Sequence, residues 1–496
     1  MPSKSSSRYA SRLAKTPAHV RLVFILVILA VFLDVIDFSA VNVALPSIRS
    51  QFGVSLADVQ WVIGAYGITM AGLLMLSGRI GDIYGQKKFF IAGVILFTIT
   101  SLTGGIAPSF LILVVSRAVQ GIGAAISSVT AFSIFVELFP EGKERNKAMG
   151  VFVAVISAGF AAGALAGGFL TTFLGWRSVL FINVPIGLAV AVMIQRLLEG
   201  DSGKGIERHL DIAGAVSITG GLMLLVYALT VASNGDFSLL SMAVPLAVAL
   251  ALLVGFFIVE QRARAPLLPL EFLGRGMVLK ANVMCLIVAA ASGGLGLILT
   301  VYMQQVLGFS ALDAGLGFLP PSLIFFVVGG WGTSWLIDRL GTRRLLILST
   351  ASITAGLLLL ALVTPGSGYI GTLPGMILWA FGASIGFPAL SIAAVAGTRH
   401  GEEGLATGLI TTSQRIGFPL GLALMLAVSS ITDPAADTST GAAAVLGFDY
   451  AFLAAALFSL LALALAMSIR IGKERGLRGV EMGRVEFIEA AEAEAI

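Results

Sequence analysis

The chain has 496 residues, of which only 12% are charged and 57% are hydrophobic, with a mean hydropathy of +0.98. Soluble domains carry about 25% charged residues, and a chain of this size without them has too little polar surface to face water, so lipid is the expected solvent. The net charge of +4 gives no nucleic-acid footprint, and the single cysteine, Cys285, excludes an intrachain disulfide framework.

Residues 1–21 form a basic, Ser-rich tail, expected in the cytoplasm. The apolar run that follows, to about residue 44, is too long for a cleavable signal and reads as the first span. Apolar stretches close to the bilayer-crossing length of about 20 residues lie at 22–45, 59–78, 89–107, 110–138, 148–173 and 179–197. Two more lie at 212–232 and 239–259. Six follow at 279–303, 314–336, 345–363, 370–396, 405–428 and 447–469. The predicted fold is an all-α polytopic membrane protein of about fourteen transmembrane helices, arranged six, two and six. The corresponding divisions are a tail to 21, a first half over 22–197, a linking pair over 198–264, a second half over 265–470, and a tail over 471–496.

Lys and Arg in short loops set the orientation. With the N-terminus in the cytoplasm, the inner segments collect nearly all of the 31 basic residues; only Arg49 and Arg177 fall outside, and Arg117 and Arg415 fall within spans. Both termini are therefore expected in the cytoplasm of a cell membrane. The histidines, His19, His209 and His400, lack metal-ligand spacing, so no metal and no cofactor is expected.

Two loops repeat. Gly78-Arg-Ile-Gly-Asp82-Ile-Tyr-Gly85-Gln-Lys87-Lys88 follows the second span, and Asp338-Arg-Leu-Gly341-Thr-Arg343-Arg344 follows the second span of the last six. Each has an Asp closing a helix, a Gly three residues later and a basic pair. Glycine allows a tight turn, and the basic residues anchor at the interface. One copy is an ordinary short loop; two, at equivalent places in two six-span halves, indicate a duplicated transporter architecture.

These loops resemble those of the major facilitator superfamily, and the six-two-six layout resembles its fourteen-span drug:proton antiporter branch. Asp37-Phe-Ser-Ala-Val-Asn42-Val-Ala-Leu-Pro46 is similar to that branch's first-helix motif, Gln60-Trp61-Val-Ile-Gly-Ala-Tyr66 to the opening of its second span, and Arg117-Ala-Val-Gln120-Gly121-Ile-Gly123 to its fourth-helix motif. Gly175-Trp176-Arg177, Asn183-Val-Pro185-Ile-Gly187 and Leu307-Gly308-Phe-Ser310 also match. The fifth-helix motif keeps Gly159, Gly163, Gly167 and Gly168, but Ala164 replaces its proline. Gln414-Arg415 stands where Arg followed by Gln is expected. The resemblance implies alternating access, gating at the Asp82 and Asp338 loops, and proton-coupled export of small lipophilic or cationic compounds by a monomeric carrier.

Asp34, Asp37, Arg117 and Arg415 sit well inside spans. At about 2.5–3.5 kcal/mol each on insertion scales, the four cost on the order of 10 kcal/mol before pairing, which points to a functional polar site. Asp34 and Asp37 are neighbours on one helix face and are expected to titrate as a coupled pair, Asp37 as the main proton or cation site and Asp34 tuning it. Arg117 is expected to pair with them in one state. Asn42, Gln120, Gln414 and Arg415 are candidate cavity residues, Arg415 either facing an anionic ligand or bonding to backbone. No Gly-x-x-x-x-Gly-Lys-[Ser/Thr] loop occurs, so no phosphate-binding site and no ATPase subunit is expected, and no catalytic motif marks an enzyme. Two other readings stand beside the exporter: a carrier for a lipid, peptide or metabolite, and a non-transporting scaffold or sensor.

Overall fold

The computed structural model describes residues 17–139, 143–198, 210–234, 238–263, 266–268, 270–396, 398, 403–432 and 442–469. The two predicted tails, apart from residues 17–21, and the loop residues Lys204, Arg208, His209, Arg264, Arg399 and His400 lie outside them. Among the described residues every regular element is helical.

The first half comprises α1 (Pro17–Phe52), α2 (Leu56–Tyr84), α3 (Gln86–Gly105), α4 (Phe110–Leu138), α5 (Lys143–Leu174) and α6 (Arg177–Leu197). The linking pair is α7 (Ile212–Ser233) and α8 (Leu239–Arg262). The second half comprises α9 (Gly276–Val306), α10 (Ala311–Gly330), α11 (Thr333–Ala361), α12 (Gly368–Val395), α13 (Glu403–Thr432) and α14 (Ala442–Ser468). Among the described residues, thirteen helices are long and apolar enough to cross a membrane, and α5 holds a shorter apolar stretch, Ala158–Leu174. The described residues are thus compatible with fourteen crossings. Leu111, Ile370 and Leu240 are 70%, 78% and 81% exposed, an outer surface that suits hydrocarbon and not water.

Both halves pack by the same scheme. The first helix of each lies on the fifth (α1 on α5, α9 on α13), and the third lies on the fourth (α3 on α4, α11 on α12). Small residues permit the close crossings: a Cβ on Gly123 would stand 2.7 Å from Phe97 N, and one on Gly356 would stand 2.7 Å from Gly375 O. This is the small-residue packing that membrane helices use where no hydrophobic force drives them together.

The repeated loops are equivalent in conformation. Gly85 has φ +102° and Gly341 φ +74°, a region that favours glycine. The helices do not end at the aspartates as expected: α2 continues to Tyr84 and the turn falls at Gly85, while Gly341 breaks α11 internally. The basic residues then cap the last helix of each half. Lys87 Nζ donates to Gln195 O at 2.9 Å and also to Leu198 O, and Arg343 Nη2 donates to Met467 O at 3.0 Å. A cation at the carbonyl end of a helix is stabilising.

Among the described residues the halves meet along two main seams, with α1 also touching α9 between them. At one, α2 meets α13 and α7 packs on both; Gln60 Nε2 donates to Thr230 Oγ1 at 2.9 Å there. At the other, α5 meets α10. Gly168 and the backbone of Ala164 approach Ala311 and Gly315, and Leu312 N donates to Thr172 Oγ1 at 3.0 Å.

Candidate substrate and proton site

The site is built on the middle of α1. Asp37 has no exposed surface, and three donors converge on it: Arg117 Nη1 at 2.5 Å, Asn183 Nδ2 at 2.7 Å and Gln120 Nε2 at 3.4 Å. Arg117, also fully buried, donates from Nε to Val62 O at 2.9 Å and from Nη1 to Gln120 Oε1 at 2.7 Å. Its guanidinium carbon lies 4.4 Å from the centre of the Tyr66 ring, within cation–π range. Gln120 Nε2 in turn donates to Ser101 Oγ at 2.7 Å. Helices α1, α2, α3, α4 and α6 thus each contribute a polar group to one buried cluster. Additional hydrogen bonds of this kind offset the cost of taking an ion pair out of water.

The cluster is not fully met. Arg117 Nη2 and Asn183 Oδ1 have no hydrogen-bond partner among the described residues, and a buried unsatisfied group costs about 1–3 kcal/mol.

Asp34 lies on the same helix but has other partners. Tyr66 Oη donates to its Oδ1, and Arg415 Nη2 donates to its Oδ2 at 3.3 Å. Arg415 comes from α13, so this ion pair crosses between the halves. The two carboxylates expected to act on each other directly are each held by a separate arginine. Tyr66 links the two pairs, its hydroxyl on Asp34 and its ring beside Arg117.

The other sequence candidates divide. Gln120 is fully buried and belongs to the Asp37 cluster, not to a cavity wall as expected. Asn42 Nδ2 donates back to Phe38 O at 2.8 Å on its own helix, where α1 faces Gly296 of α9. Gln414 is half-buried beside Arg415. Gly159, Gly163 and Gly167 face α1, a Cβ on Gly167 falling 2.5 Å from Ala40 Cα, whereas Gly168 faces α10. Gly78 and Asp82 lie in the last two turns of α2, Lys88 in the first turn of α3, and Asp338 and Arg344 on either side of the Gly341 break in α11; Asp82 accepts from Gln86 Nε2 at 3.1 Å. Three site residues carried no role in the sequence reading: Tyr66, Asn183 and Ser101. The first two stand in the matched motifs, and polarity inside a span was the available signal. No group of His, Cys, Asp and Glu able to hold a metal occurs among the described residues.

The comparisons agree with this architecture. The model of the Major Facilitator Superfamily matches residues 27–422. The Cephamycin export protein CmcT of Amycolatopsis lactamdurans is 38% identical over 431 residues, 86% of this chain and 88% of that protein. The Puromycin resistance protein pur8 of Streptomyces alboniger is 35% identical over 412 residues, 82% of this chain and 81% of that protein. Among solved structures, an auto-inhibited POT family peptide transporter has the same fold, with a TM-score of 0.65 and 17% identity over 92% of this chain and 98% of that chain. The family is one of small-molecule transporters, and the chain is a multi-pass membrane protein that belongs to the Major Facilitator Superfamily.

Proposed function

We propose that the protein exports small lipophilic compounds across the cell membrane in exchange for protons, by alternating access between its two six-helix halves. The observation that carries this reading is the buried Asp37–Arg117 ion pair with an unmatched donor at Arg117 Nη2. A fixed structural bridge would be expected to satisfy all its polar groups. A pair that changes partners leaves some unmet in any one state. Protonation of Asp37 removes the charge that holds Arg117, whose remaining bonds are to Val62 O and Gln120 Oε1. The guanidinium is then free to shift, and α1 with it. Asp34 and Arg415 transmit that shift, since their ion pair joins α1 to the opposite half.

The relatives named for cephamycin export and puromycin resistance support export of antibiotic-like molecules. The driving force suffices. One charge crossing 100 mV supplies about 2.3 kcal/mol, and at about 1.4 kcal/mol per tenfold this sustains a gradient of about 50-fold. Asp37 is enclosed by its three donors, which favours a proton role over direct contact with a cationic drug. In this reading both termini lie in the cytoplasm, the carrier works as a monomer without an ATPase, and it performs no enzymatic reaction. The test is reconstitution in liposomes with an internal pH dye: a drug added against an imposed proton gradient should trigger proton movement, and a folded protein that moves none would redirect the reading to a lipid or metabolite carrier.

A further inference from the structure

Where α13 reaches α1, the exposed partner of the ion pair is the positive one. Asp34 is 3% exposed while the Arg415 side chain is 28% exposed. Asp34 is already engaged by Tyr66, and Arg415 makes one 3.3 Å hydrogen bond among the described residues. A guanidinium carries five N–H donors, so a solute reaching this point meets a cation with donors to spare.

One turn along α1 from Asp34, on the same face, an aromatic row begins. Phe38 meets Phe160 of α5 edge-on, with centroids 6.4 Å apart. Phe160, 41% exposed, stacks on Phe325 of the second half at 6.3 Å and 20°. Phe325 meets Trp379 of α12 at 5.5 Å, and Trp379 Nε1 is fixed by Ser292 Oγ at 3.0 Å. The row therefore crosses the α5–α10 seam, with its rings supplied by both halves. Phe side chains in a membrane protein ordinarily face lipid or a neighbour; four joined rings leading away from a partly exposed arginine form a surface with an apolar stretch and a charged end.

We propose that the interface between the halves, from Arg415 on α13 across α1 to the α5–α10 seam, binds amphipathic organic anions, with a flat apolar body on the Phe38–Phe160–Phe325–Trp379 row and the acid group on Arg415. The proposal rests on the exporter reading for its biological use, but binding can be measured without transport.

The test uses full-length protein in phosphatidylcholine nanodiscs and three probes that share one aromatic body: 1-pyrenesulfonate, hydroxypyrene and a pyrenyl trimethylammonium. Equilibrium binding is corrected for empty discs. The sulfonate stays ionised and carries no proton of its own. The wild type should bind the anion at least tenfold more tightly than the cation. Arg415→Gln should erase that preference, Arg415→Lys should retain part of it, and Phe325→Ala should weaken all three probes alike. A cation preference in the wild type, no anion binding, or an anion-to-cation ratio unchanged in Arg415→Gln would overturn the proposal. Loss of sulfonate binding when phosphatidylglycerol is added to the discs would also overturn it, by assigning the arginine to a lipid headgroup. Drug-triggered proton flux without anion binding leaves the exporter standing and removes this site; Arg415-dependent anion binding without proton flux does the reverse.

Discussion

Asp34 of α1 and Arg415 of α13, 381 residues apart in sequence, form an ion pair at 3.3 Å that ties one half of the protein to the other. Because Arg415 is partly exposed, the pair is expected to be weak. In a double-mutant cycle of Asp34→Asn and Arg415→Gln, read by thermal unfolding in detergent, the coupling should not exceed about 1 kcal/mol. Such a contact can break and re-form during a transport cycle. A coupling several times larger would mark a permanent bolt between the halves.

Arg117 should behave differently. With both it and Asp37 fully buried, Arg117→Ala leaves an uncompensated carboxylate and should cost about 3–5 kcal/mol of stability, seen as a large drop in the unfolding midpoint. The double variant Asp37→Asn, Arg117→Gln removes both charges. It should recover much of that stability while remaining inactive in proton-coupled transport.

The fifth-helix glycines should rank by what they touch. A methyl group at Gly167 would meet the backbone of Ala40, 2.5 Å from its Cα and 2.7 Å from its carbonyl oxygen, whereas one at Gly159 would meet the Val35 side chain, 2.9 Å from Cγ1. Side chains can move where backbone cannot. Gly167→Ala should cost about 1–3 kcal/mol and reduce transport, and Gly159→Ala should cost less; unfolding midpoints and flux in the two variants check the order.

The loop glycines offer a test of backbone alone. A Cβ on Gly341 would have nothing within 4 Å, so crowding cannot explain any effect there. Its φ of +74° and ψ of 157° belong to a region almost confined to glycine, and Gly341→Ala should cost about 1–3 kcal/mol. An unchanged unfolding midpoint would show that the loop relaxes freely.

How much of this was legible in the sequence depended on how local each signal is. Spans follow from hydropathy over about 20 residues, and the loop turns at Gly85 and Gly341 follow from a short repeated pattern; both are local. The Asp37–Arg117 contact was reachable because charges inside spans are costly and must find partners. Arg415 was not assignable, since nothing in its neighbourhood encodes a carboxylate on the first helix. Polarity inside a span does not distinguish a cavity wall from a buried cluster, so the sequence cannot separate the two for Gln120. The aromatic row was invisible for a similar reason: Phe160 and Phe325 suit lipid as well as each other, and only the packing of α5 against α10 brings them together.

The most direct test of the account is proton flux in proteoliposomes carrying wild-type protein or Asp37→Asn, each shown to be folded by its unfolding transition. Substrate should trigger proton movement in the wild type and none in Asp37→Asn. Proton movement undiminished in the folded variant would contradict it and move the coupling site away from the Asp37–Arg117 pair.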